Sequence, residues 1–295
     1  MSDWDMVTIS SGSLTARINP LGAELWSLTD TDGAEYMTDA DPAFWSGHAP
    51  VLFPIVGSLA GDRLVLDGTA YPLARHGFAR RLMFEVVAQD AGNARFRLVD
   101  SVETRAVYPF AFVLELAFTL TDRTLKIEAI VANPGDIPLP FSFGFHPAFA
   151  WPLPGGAEKH AHRIVFDQPE LEAVRRVSKD AGLLLPQSEP TPVRGRELSL
   201  REDLFTADAM IWTDLRSRAL SYGAEGGAWL DIAFADLPML GLWQVPGAHY
   251  ICIEPWQGHA DPQGFDGEFG QKPGIVSLSP GAQRSFCMDV TVRPG

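Results

Sequence analysis

The chain is poor in cysteine and in positive charge, and it has no long apolar run. Cys252 and Cys287 are the only two cysteines among 295 residues. A disulfide framework and a four-thiolate metal centre are therefore excluded. Lys and Arg number 23 against 37 Asp and Glu, a formal charge of −14. That balance argues against nucleic-acid or anionic-membrane partners, which require a clustered positive field. No window approaches the ~20 apolar residues of a membrane span. Met1 to Asp5 is polar and acidic, and no signal-type apolar stretch follows, so a cytoplasmic location is expected.

Helical patterning is also scarce. Glu170 to Lys179 has a few residues at helical spacing, and Ser199 to Phe205 reads as a short helical turn. Period-2 alternation is what fills the chain instead. It runs through Leu14–Ile18, Arg95–Val99, Val113–Leu120 and Leu125–Val131. Turn signals fall between these runs, at Asp32-Gly33, Asp67-Gly68, Gly155-Gly156 and Pro246-Gly247. The patch Asn133 to Pro140 reads as a loop. With 27 Gly and 23 Pro, these residues make up about 17 % of the chain against a usual ~12 %. Val65 to Tyr71 reads as a hairpin closed by Asp67-Gly68, residues that tolerate positive φ. Strands alternating with turns predict an all-β fold, a large antiparallel sandwich, and no linker or repeat divides residues 1–295 into separate domains.

Three segments place polar groups within apolar surroundings. His146 stands among Phe141, Phe143, Phe145, Phe149 and Trp151, where burial lowers an imidazole pKa. A core histidine satisfied by a carbonyl fits the same pattern. His76 precedes Gly77, which admits close approach to the ring, although a surface turn reads alike. Glu254 follows the apolar Ile251-Cys252-Ile253 and precedes Pro255. A carboxylate ending a buried strand is costly without a partner, and a raised pKa suits a general base. The other histidines read as solvated: His160 and His162 in one loop, His259 with Asp261 and Asp266 in another. Trp45, Trp243 and Trp256 lie near polar segments, and their faces suit the C–H faces of a sugar ring.

Seven segments in order resemble the aldose 1-epimerase (galactose mutarotase) family, in particular its short bacterial branch. They are Leu21–Leu25, Trp45 with Ala49–Gly57, His76–Arg80, Tyr108–Phe110, Phe143–Phe149, Gly241–Trp243 and Cys252–Trp256. The resemblance implies a galactose mutarotase-like β-supersandwich acting on a small-molecule aldose, without metal or other cofactor. It implies Glu254 as base toward the anomeric hydroxyl, His146 as acid toward the ring oxygen, and His76 as their assistant. Arg80, Trp243 and Trp256 would line the sugar. Where the family carries an arginine after its Leu-Phe-Pro run, this chain has Ser58, with Arg63 as the nearby substitute. Asp208 or Asp214 would supply the family's hydroxyl-binding aspartate. A neutral aldose is the first expectation. Arg75, Arg80 and Arg81 around His76 also fit a hexose 6-phosphate, and Ser58 fits a sugar-binding module without catalysis.

Overall fold

The computed structural model describes residues 6–295, so Met1 to Asp5 lies outside the described residues. Two large sheets account for most of the strands. The first has nine, in the order Glu197–Ser199, Arg163–Phe166, Ala219–Gly223, Trp229–Ala233, Gln283–Arg293, Thr124–Ala132, Val113–Thr121, Asn93–Val99 and Glu85–Gln89. The second runs Leu184–Glu189, Val174–Val177, Met210–Trp212, Met239–Trp243, Tyr250–Gln257, Phe143–Phe145 and Val51–Leu52, with Ala148–Ala150 also paired to Tyr250–Gln257. Smaller sheets flank them, one built from Val7–Ser10, Leu14–Asn19 and Glu24–Asp30. Neighbouring strands in every sheet are antiparallel, which short turns permit.

The alternation read from the sequence is the burial pattern of the strands. In Val113–Thr121 and Asn93–Val99 every second side chain is buried. One hydrophobic cluster takes side chains from both large sheets, including Leu116, Phe118, Ile251 and Ile253. Aromatic pairs join the layers: Phe286 stacks on Phe143 with centroids 5.0 Å apart, and Phe166 meets Trp212 at 6.0 Å. This is the expected sandwich. Leu66 pairs with Thr69, and Asp67 and Gly68 both have positive φ, so the predicted hairpin has its two-residue turn.

The longest helix is the six-residue Val102–Val107. Among the described residues, no helix is long and apolar enough to cross a membrane. The helical spacing at Glu170 to Lys179 is a false signal, because Val174–Val177 is a strand paired with Leu184–Glu189. Its β-branched valines face the core, and Gly182, at φ +66°, turns the chain back. The short helical turn expected in Ser199 to Phe205 is the 3₁₀ turn Glu202–Phe205, and Ser199 itself ends the strand Glu197–Ser199. The Asn133 loop ends sooner than expected, since Leu139–Phe141 pairs with Val276–Leu278.

Two polar loops are solvated only in part: His160 and Asp266 are exposed as expected, and the other members are not. His162 is buried, accepting from Leu153 N–H and meeting the Glu158 carbonyl. His259 and Asp261 are buried as well. Asp261 accepts from Ala60 N–H and lies 3.2 Å from Lys272, whose side chain has no exposed surface. Both loops are covered by chain segments distant in sequence, which local polarity does not disclose.

Candidate active site

The strand Tyr250–Gln257 carries core and chemistry on opposite faces. Ile251 and Ile253 enter the inter-sheet core, while Cys252, Glu254 and Trp256 point the other way. Gly241 pairs with Glu254 on one side. On the other, Gly144 pairs with Trp256 and Ala148 with Cys252, so the register sets His146 across from Glu254. The two glycines make room for Trp256: a methyl group on Gly241 or Gly144 would come within 2.5 Å of its indole. The ring therefore lies over both neighbouring strands beside the carboxylate.

His146 Nε2 lies 3.2 Å from Glu254 Oε2, and both side chains are nearly sealed from solvent. Burial pushes the Glu254 carboxyl well above its ordinary value and lowers His146 to about 3. The Arg75 charge opposes the rise of Glu254, whereas the Asp208 charge adds to it. With the carboxyl raised and the imidazole lowered, the favoured state is a neutral acid beside a neutral imidazole. Moving the acid's proton across the gap converts neutral acid plus neutral imidazole into carboxylate plus imidazolium without changing the net charge.

His76 completes the group, its ring 5.7 Å from that of His146. It has φ +67°, and Gly77 follows at φ +68°. Two successive left-handed residues reverse the chain, and a side chain at Gly77 would strike the Phe53 carbonyl at 2.3 Å. The strained histidine is held reciprocally: its N–H donates to Gly57 O, and Gly57 N–H donates to its Nδ1 at 3.1 Å. Burial keeps this imidazole neutral by lowering its pKa well below the usual value.

Trp45 stacks on His146 at 5.1 Å and meets Trp243 edge-on at 5.6 Å, and Trp243 lies 6.1 Å from His146. Arg80 is half-buried, with Nη2 donating to the Arg75 carbonyl and a charge that reaches both His76 and His146. Asp208, at φ +69°, accepts from Ala209 N–H, and its charge acts on Glu254. Asp214 is exposed. Arg63 stands apart, lining a groove of about 290 Å³ with Leu64, Asp261 and Phe265 and with none of the residues just described. Larger grooves elsewhere also leave out the His146–Glu254 pair.

Cys252 was not among the expected site residues, yet its Sγ lies within 4.8 Å of a ligand atom of both His146 and Glu254. Among the described residues, this is the one such trio able to offer a metal three ligands, where the sequence suggested none. Its thiol is fully buried and held protonated by that burial. The signal was the i, i+2 spacing from Glu254 on a strand. Arg75 was also missed as a partner of His76: consecutive residues of a strand point apart, and only the backbone reversal brings them together.

The sequence model for aldose 1-epimerase matches residues 5–268. The plasmid-encoded protein LacX of Lactococcus lactis subsp. lactis is 29 % identical, over 97 % of this chain and 99 % of its own. A galactose mutarotase related enzyme from Lactobacillus acidophilus superposes with a TM-score of 0.89 at 33 % identity, covering 98 % of this chain and 97 % of that one. A galactose mutarotase-like protein from Lactobacillus casei gives 0.90 at 28 % identity, covering 98 % and 100 %.

Proposed function

The chain belongs to the aldose 1-epimerase family, and on that premise we propose that it interconverts the α and β anomers of a free aldose. The observation that carries this reading is the buried His146–Glu254 pair, its Nε2 and Oε2 3.2 Å apart. Ring opening removes a proton from the O1 hydroxyl and adds one to O5. A base and an acid must therefore address the same acetal at once.

In the ionised form of the pair, Glu254 takes the O1 proton and His146 delivers its own to O5. The C1–O5 bond breaks as C1=O1 forms, and the open aldehyde rotates about C1–C2. Reclosure returns both protons and leaves the pair as it began. Trp243 and Trp256 present ring faces to the sugar, Asp208 and Arg80 meet its hydroxyls, and His76 supports the charge near O5.

Glu254→Gln tests this reading. By polarimetry on freshly dissolved α-D-glucose and α-D-galactose, the variant should lose mutarotation while keeping its fold; undiminished activity overturns the mechanism. Saturable sugar binding without any acceleration by the wild type would instead identify a binding module.

A second reading has its own observation. Arg75, Arg80 and Arg81 enter no ion pair among the described residues, although acids outnumber bases in the chain. Unpaired guanidinium groups beside His76 suit a phosphate. A comparison of D-glucose with D-glucose 6-phosphate as substrates separates the two: a kcat/KM at least about tenfold higher for one identifies it, since one charge-assisted contact is worth that much.

A further inference from the structure

We propose that Arg75 is a substrate-binding residue, its Nε–H and the Nε2–H of His76 forming a two-donor seat for one oxygen of the sugar. The assignment rests on the sugar site proposed above.

His76 has two ring nitrogens and, when neutral, one proton to share between them. Gly57 N–H donates to Nδ1 at 3.1 Å. A backbone donor cannot turn away, so Nδ1 carries a lone pair and the single proton of the neutral ring belongs to Nε2. Arg75 Nε lies 3.1 Å from that same Nε2 with its N–H directed at it. A guanidinium always bears its protons. If both contacts were hydrogen bonds, His76 would have no proton at all, which a neutral imidazole does not permit. The contact to Nε2 is therefore two donors facing each other, a repulsive arrangement that one acceptor oxygen between them would relieve.

The surroundings leave the guanidinium available for that oxygen. Arg75 forms no ion pair among the described residues and is exposed, although it abuts the buried His76. Its charge reaches Glu254, His76 and His146, so it stands at the reacting end of the site. Room for it comes from Ser58 and Gly182. A methyl group on Gly182 would sit 2.8 Å from Ser58 Oγ and 3.7 Å from Arg75 Nη1, so serine and guanidinium share one small space beneath that turn. The short side chain at 58 leaves that space to Arg75.

The test compares the wild type with Arg75→Gln and Arg75→Lys, using D-glucose, D-galactose and D-glucose 6-phosphate as probes. Loss of one charge-assisted hydrogen bond predicts KM, and the calorimetric Kd, raised about 10- to 100-fold in Arg75→Gln. kcat should fall by less than KM rises, because Glu254 and His146 are both retained, and in Arg75→Lys, which keeps the charge that acts on them, kcat should stay within about threefold. Arg75→Lys keeps the charge without the fork and should recover part of the affinity. Melting temperatures should be unchanged, since Arg75 is exposed and unpaired. If Arg75-dependent binding appears without any mutarotation in the wild type, the catalytic reading falls and this assignment stands. Unaltered binding in Arg75→Gln, a loss confined to kcat, or no binding of any probe by the wild type overturns it.

Discussion

Replacing Glu254 by glutamine should do more than stop turnover: it should make the protein more resistant to heat as the pH rises. The carboxyl is 2 % exposed, and its partner within ion-pair distance is His146, itself buried. Its folded pKa lies above the ordinary 4.5 because burial disfavours the charged form. A group raised in this way adds its stability in full below the ordinary carboxylate pKa. That stability is lost as pH climbs through the folded pKa, where a buried charge must form. Each unit of elevation is worth about 1.4 kcal/mol. At about 2 cal/mol/K of unfolding entropy per residue, a chain of this length shifts its Tm by about 2 °C for each such unit. Glutamine keeps the shape and has no proton to lose. The wild type and Glu254→Gln should therefore melt together near pH 4, and the variant should pull ahead toward pH 8. His146, lowered to about 3, loses stability as pH falls below its ordinary 6.5; it is present in both proteins, so its effect largely cancels in the comparison. Mutarotation by the variant should fall about 10²- to 10⁴-fold, the usual contribution of a positioned acid or base. Melts followed by circular dichroism across pH, with polarimetry on the same samples, supply both readouts. A Tm difference that does not change with pH would refute the claim that this carboxyl is buried and elevated.

Gly241→Ala should push Trp256 out of place, because the new methyl would approach the indole to 2.5 Å. Overpacking of this kind costs about 1–3 kcal/mol, and near-ultraviolet circular dichroism would report the displaced ring. A variant with wild-type melting and an unchanged spectrum contradicts that packing. Lys272→Met should leave Asp261 buried without its counter-ion, since the ammonium lies 3.2 Å away and is wholly enclosed. Stripping one partner from such a pair costs about 3–5 kcal/mol, and the double variant Lys272→Met with Asp261→Asn should recover part of that loss in thermal melts.

Strands such as Val113–Thr121 were legible because alternation is a local property that the sheet preserves. Glu170 to Lys179 misled because its pairing with Leu184–Glu189 and its burial override a weak helical spacing. Glu254 was visible as an acid following the apolar Ile251-Cys252-Ile253, although the strand does not end there but runs through Pro255 to Gln257, and its partner His146 lies between two other strands and is brought near only by register. His162 and His259 were misread because what buries them is contributed by distant chain. Arg75 was legible as a charge but not as a neighbour of the His76 ring edge, a relation created by two left-handed residues in succession.

The strand Tyr250–Gln257 keeps Ile251 and Ile253 in the core while Cys252 and Glu254 face away. Chemistry and folding thus draw on different residues of one segment. A substitution confined to Glu254 leaves the apolar face of this strand, Ile251 and Ile253, in place. The strand can thus be altered at its polar face, one residue at a time, while the contacts that seat it between the sheets are kept.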